Sequence, residues 1–306
     1  MIFRTEIEPK SDLRIDHNSR ILFLGSCFAQ NISAKAAYHG LTVYHPFGAI
    51  YNPASVLNSI KMLAEGATIA EDELIEDKGL YSHYSFHSSY SRSTKEEALL
   101  EMNREIAAGE EFWNKADIVI LTFGTARTYI LKSSGKVVAN CHHTDQKEFQ
   151  KGSLSIEEIA EMYINLAKAH PDKKFIFTVS PIRYLKYGLH ESRLDKATLL
   201  IAVDKICSAA ENCTYFPSYE IMNDDLRDYR FFASDMIHPS DAAIDYIWEK
   251  FAECYFSAET KKLCTEYDKL RKLENHRPTR PGSAEDRARL QRIMEVKRLI
   301  GDAMMR

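Results

Sequence analysis

The sequence predicts an α/β fold: a five-stranded, doubly wound parallel sheet in three α/β/α layers, followed by a C-terminal helical extension. Three observations predict it. Five short β-branched or aromatic runs read as strands buried on both faces, and amphipathic helical stretches separate them. From about residue 258 the pattern becomes charge-rich helix alone. At 306 residues the chain exceeds the usual domain of roughly 100–200 residues, which suits one large α/β domain over 1–257 and an appendage over 258–306.

The strand runs lie at 21–24, 41–44, 118–123, 174–179 and 214–216. Between the first two, residues 28–39 carry Phe28, Ile32, Ala36 and Ala37 at helical spacing and stop at Gly40, a residue suited to a left-handed cap. Further helices are expected at 54–64, 94–108, 155–169, 191–209 and 240–256, with a hairpin turn at Ser134 and Gly135. The Tyr-, Ser- and His-rich stretch 81–91 reads as a mobile polar loop whose His83 and His87 lack a metal-binding spacing. In a doubly wound sheet, ligands sit beyond the C-terminal ends of the strands near a topological switch point. The site is therefore expected just after strands.

Composition excludes several classes. With 45% hydrophobic and 27% charged residues, the chain is neither disordered nor fibrous. A formal charge of −4 gives no electrostatic footprint for nucleic acid. The first fifteen residues lack the apolar core of a secretion signal, and no run of about 18 apolar residues occurs, so a cytoplasmic protein without a membrane partner is expected. The six cysteines are dispersed with no CxxC pair, which favours neither a disulfide framework nor zinc; no metal or cofactor is expected. Residues 259–306 carry 13 Lys or Arg against 8 Asp or Glu. That charge reads as solvated helix faces, or as an arm packed on its own body or on a second subunit in a homodimer.

Two segments carry chemistry. The first strand ends in Gly25, Ser26, Cys27 and Phe28 and runs at once into a helix, which sets a small nucleophile against free backbone amides and the positive end of the helix dipole. Such a position can bring a thiol pKa from about 8.5 into a range of roughly 3.5–7.5 when a cationic or His partner is near. Near the other end of the domain, Asp235 precedes His238 by three residues in a loop closed by Pro239. The carboxylate can fix the imidazole tautomer and leave the other ring nitrogen to face a nucleophile. Nucleophile, base and orienter are the three roles of a triad.

These residues resemble the GSCFA family, a branch of the SGNH or GDSL-like esterases and acyltransferases. Gly25, Ser26, Cys27, Phe28 and Ala29 spell its naming motif. The likeness continues through the segments 45–53, 123–129, 137–142, 180–184, 225–231 and 234–239, and so spans roughly residues 1–256. It implies the flavodoxin-like SGNH fold and acyl chemistry on an ester. Laid on the superfamily's Gly-Asp-Ser block without a gap, Cys27 stands in the serine's place and Ser26 in that of the aspartate; Ser26 is the alternative nucleophile. Asp235 and His238 match the Asp and His of the last block. In the Gly-x-Asn-Asp block Gly124 matches, but Ala126 stands where an oxyanion-binding Asn is usual.

Losing one such donor costs about 100- to 1,000-fold in rate, so an active enzyme needs a substitute. The candidates are the amides around Gly124 and Thr125, the Thr125 hydroxyl, and Asn52 with Gly48, although Gly48 reads equally as a plain turn residue. Asn140 and His142 follow the hairpin turn and are pocket candidates, with a structural role open for His142; Arg183, just after the fourth strand, suits a ligand contact or a salt bridge. The resemblance thus implies a hydrolase or O-acyltransferase acting on a small-molecule or glycan acyl ester through a Cys/Ser-His-Asp triad. The altered blocks motivate an alternative, a catalytically silent module that binds a glycan or a nucleotide-like ligand. A redox-sensing cysteine protein, with Cys27 or Cys141 reactive, is a third reading. Specificity is assigned to the loops 45–52, 80–92 and 144–151.

Overall fold

A computed structural model describes residues 5–305; residues 1–4 of the expected domain and residue 306 of the extension lie outside the described residues. In chain order the strands are β1 (Arg20–Gly25), β2 (Thr42–Tyr44), β3 (Ile75–Asp77), β4 (Leu80–Ser82), β5 (Ile118–Phe123), β6 (Arg127–Leu131), β7 (Val137–Val138), β8 (Phe149–Ser153), β9 (Lys174–Val179) and β10 (Cys213–Tyr215). The helices are α1 (Cys27–Tyr38), α2 (Pro53–Ala64), α3 (Lys95–Lys115), α4 (Ile156–Ala169), α5 (Leu189–Ala209), α6 (Ser218–Glu220), α7 (Asp241–Tyr255), α8 (Ala258–Asn275) and α9 (Ala284–Met304).

The main sheet is wholly parallel in the order β10-β9-β5-β1-β2. That is the flavodoxin-like order, and its switch point falls between β1 and β5. Strand alternation builds two cores. Leu22, Leu24, Val119, Leu121, Phe175 and Phe177 face the layer of α2, α3, α4 and α5; Ile21, Phe23, Ile118, Ile120 and Ile176 face α1 and α7.

Helix α3 continues seven residues beyond the expected end at 108, because Gly109 inside it is where α2 approaches. A Cβ there would lie 2.6 Å from Leu63 Cδ2. The hairpin turn expected at Ser134 and Gly135 joins β6 to β7, but the third strand of that antiparallel sheet, β8, and the β3-β4 ribbon are not expected from the sequence. Stretch 81–91 is accordingly more than a polar loop. It starts in β4, and Phe86 is buried with its ring 4.7 Å from that of Phe47.

Beyond α7, α8 and α9 pair around Leu270, Ile293 and Ile300. They are joined to the body: Tyr267 lies over Gly40 and stacks on His17, and the Cys264 carbonyl meets His39 Nδ1 at 3.3 Å.

Candidate active site

The C-terminal tip of β1 is built by Gly25. Its φ of +136° is left-handed territory, and a Cβ would sit 2.2 Å from the Thr122 carbonyl oxygen on β5, so only glycine lets the two strand ends approach this closely. The next residue, Ser26, is the N-cap of α1. Its Oγ accepts from the Phe28 amide at 3.3 Å and donates to Ser180 Oγ at 3.0 Å, and the residue is 0% exposed. Cys27 is the first helical residue and is partly buried. The amides of Cys27 and Phe28 favour its thiolate, but burial outweighs them and pushes the thiol pKa up to about 11. Burial thus outweighs the helix terminus here, and the thiol needs a base to become a nucleophile.

Asp235 and His238 occupy a loop turned by Met236, whose φ is +57°. Asp235 Oδ1 accepts the amides of Ile237 at 2.8 Å and His238 at 3.0 Å, while Oδ2 meets His238 Nδ1 at 2.6 Å. The bond to the His238 side chain is the main reason the Asp235 pKa is held down to about 2, with the two amides adding to it. Arg183 anchors this loop. Its amide donates to the Ile237 carbonyl at 3.0 Å, and its guanidinium lies 5.0 Å from the Phe232 ring and 5.4 Å from that of Tyr229.

Cys27 and His238, far apart in sequence, line one cavity of about 290 Å³. Gly124, Thr125, Ser180, Arg183 and Lys196 complete its polar side, and Tyr51, Ile182, Tyr184, Leu185 and Ile237 supply rings and aliphatic walls. The thiol and the imidazole are not hydrogen-bonded to each other among the described residues. Catalytic hydrogen bonds often tighten only when substrate is present.

Several expected donors have other work. The amides of Gly124 and Thr125 both donate to the Tyr51 carbonyl, at 2.7 and 3.1 Å, and the Thr125 hydroxyl donates to Asp195 Oδ2 at 2.9 Å. The expectation that these groups hold an oxyanion is corrected accordingly. Asn52 is outside the cavity lining: it caps α2, its Oδ1 accepting from the Ser55 amide at 2.8 Å. Gly48, also outside the lining, forms a left-handed turn with Phe47 against His87. Asn140 and His142 stay out of it too. Asn140 Oδ1 accepts the His142 amide at 2.9 Å, and His142 Nε2 meets the His83 carbonyl at 2.9 Å, a structural pairing that fastens two loops.

The sequence reading missed Tyr51, Tyr184 and Lys196. Burial, with Cys27 nearby, pushes the Tyr51 hydroxyl up to about 12. Lys196 had a signal. The buried stripe of α5 runs through Ser192, Asp195, Lys196, Leu199 and Val203, so an acid and a base fall on the apolar face of an amphipathic helix. Charges on such a face are costly to bury unless something specific receives them.

A parallel sheet of flavodoxin-like order, with a cysteine at the switch point and an Asp-His pair across one cavity, defines the class: α/β proteins with a Cys, His and Asp constellation at the strand ends. The GSCFA family model matches residues 20–251, and the chain belongs to the GSCFA family. Comparison of the sequence with curated proteins finds no match. Among solved structures, the chain is similar to a carbohydrate esterase family 2 enzyme with a carbohydrate-binding domain from Corynascus thermopiles (Myceliophthora fergusii), at 9% identity and a TM-score of 0.37, covering 81% of this chain and 67% of that one. It is also similar to a mutant acetyl-xylooligosaccharide esterase from Geobacillus Stearmophilus, at 12% identity and a TM-score of 0.34, covering 78% and 95%.

Proposed function

We propose that the protein processes acyl esters through a covalent intermediate on Cys27. The observation that carries this reading is the shared cavity: Cys27 opens into the space that His238 lines, and His238 has its Nδ1 fixed on Asp235 at 2.6 Å. With Nδ1 bonded to a carboxylate that stays ionised down to about pH 2, Nε2 is the free basic nitrogen. Ser26 is the weaker nucleophile, because its hydroxyl is buried, caps α1 and donates to Ser180.

His238 Nε2 takes the thiol proton as Cys27 Sγ attacks the ester carbonyl. The C=O electron pair moves onto oxygen, where the Cys27 amide at the start of α1 can donate to it. Collapse of that intermediate reforms the carbonyl and breaks the C–O bond, and the departing alkoxide takes the proton from His238. The resulting thioester is attacked by water or by an alcohol, which His238 deprotonates in turn; Cys27 leaves as thiolate and recovers its proton. Hydrolase and O-acyltransferase share the first half. Ile182, Leu185, Ile237 and the rings of Tyr51 and Tyr184 suit a short acyl chain on a small-molecule or glycan alcohol.

Turnover of short-chain activated esters by the wild type and by Cys27→Ala, Ser26→Ala and His238→Ala tests the reading. We expect activity in the wild type and Ser26→Ala, and a loss of at least about 100-fold in the other two. Rates no different from buffer in all four, with retained ligand binding, would establish the silent binding module in its place.

A further inference from the structure

Lys196 reaches from α5 across the C-terminal edge of the sheet. Its Nζ donates to the Gly124 carbonyl at 2.6 Å, at the end of β5, and to the Ser180 carbonyl at 2.8 Å, at the end of β9. The residue is only 3% exposed, yet it lines the cavity that holds Cys27 and His238. Its sequence neighbour Asp195 does not pair with it. That carboxylate instead accepts from Thr125 Oγ1 and from Arg127 Nε at 3.0 Å. An ammonium has three N–H groups, and two are committed to strand-end carbonyls. The third is left for the cavity.

Ala126, where the resemblance to SGNH enzymes implies an amide side chain, is 0% exposed, and the amides of Gly124 and Thr125 are taken by Tyr51. A donor is therefore missing at the end of β5, and Lys196 Nζ is anchored to that strand end. Resting on the function proposed above, we propose that Lys196 is the oxyanion donor for acyl transfer at Cys27, its third N–H replacing the amide that Ala126 lacks. As the Cys27 Sγ–C bond forms, the carbonyl electron pair moves onto the oxygen that this N–H receives; when the C–O bond breaks, the pair returns and the alkoxide leaves with the proton held by His238.

The groups facing Nζ are Asp195 on its own helix, Cys27 from α1 and the Tyr219 ring of α6, 5.9 Å away. Burial draws the Lys196 pKa down to about 7, against the opposing pull of Asp195 and Cys27. Lysine is charged below its pKa, so the strong donor is present at acid pH and is lost as pH rises through about 7.

The test compares two reactions of the same thiol. Acylation by p-nitrophenyl acetate develops an oxyanion; alkylation by iodoacetamide does not. In Lys196→Met, acylation should fall about 100- to 1,000-fold while alkylation of Cys27 changes less than about fivefold. Wild-type acylation should decline above about pH 7, and Lys196→Arg, which stays charged, should lose that decline. Acylation in Lys196→Met within threefold of wild type overturns the proposal, as does an equal loss of alkylation, which would mean that Lys196 acts on the thiol. A wild-type rate that keeps rising to pH 9 also overturns it. If Lys196→Met lacks a cooperative melting transition, Lys196→Gln carries the same ratio of rates. A wild type that takes no acyl group on Cys27 fails the proposed function, and this inference with it, whereas the outcomes above fail the inference alone.

Discussion

Two adjacent side chains at the tip of β1 divide the labour. Ser26 is a cap and a buried link to Ser180, so Ser26→Ala should lower stability by about 1–2 kcal/mol in denaturant unfolding and leave ester turnover within about threefold of wild type. Asp235 has the opposite profile. It is exposed and contributes through His238, so Asp235→Asn should cut kcat/KM by about 100- to 10,000-fold with little change in unfolding midpoint. Because the Asp235 pKa is lowered to about 2, its hold on the imidazole is lost only as pH falls through that value. Activity measured between pH 4 and 8 should show no limb belonging to this carboxylate. The sequence marks Cys27, Asp235 and His238 directly, since each stands in a motif beside a turn. It does not show how Gly124, Thr125 and Asn52 are employed, because their partners, the Tyr51 carbonyl, Asp195 and the Ser55 amide, are set by the packed loops.

Among the elements, the strands and helices of the parallel sheet are legible because each is buried on both faces or carries a clear apolar stripe. Strands β6, β7 and β8 are not, since Val137–Val138 is too short for a periodic signal and Phe149–Ser153 is mostly polar; their stability comes from pairing with one another. Lys196 shows the same limit. The apolar stripe of α5 marks it as out of place, and only the approach of α5 to the ends of β5 and β9 shows what it donates to. The junction of β1 and α1 has the least tolerance. Gly25→Ala adds a Cβ against backbone of β5 at a left-handed φ, so it should destabilise the fold by about 2–4 kcal/mol. Thermal unfolding would show it, and a midpoint equal to wild type would contradict the close approach of β1 to β5.

At the scale of the whole molecule, burial makes the fold sensitive to acid. His45 and His83 are held to pKa values of about 4, whereas in the unfolded chain an imidazole binds its proton near 6.5. Between those values the unfolded state binds more protons, so stability falls as pH drops from about 6.5 to 4, by on the order of several kcal/mol for the pair. Thermal midpoints at pH 7 and 4.5 should differ accordingly, and His45→Phe should narrow the gap. The extension α8-α9 contributes to the body through Tyr267 and Cys264, contacts that its charge-rich composition does not announce. Peptide mapping by mass spectrometry, after a brief exposure to an activated acyl ester, tests the central claim most directly. The account predicts one acyl group on Cys27 in the wild type and in Ser26→Ala, slower labelling in His238→Ala and none in Cys27→Ala. A wild type left unmodified, or an acyl group found on Ser26 with Cys27 untouched, would contradict it.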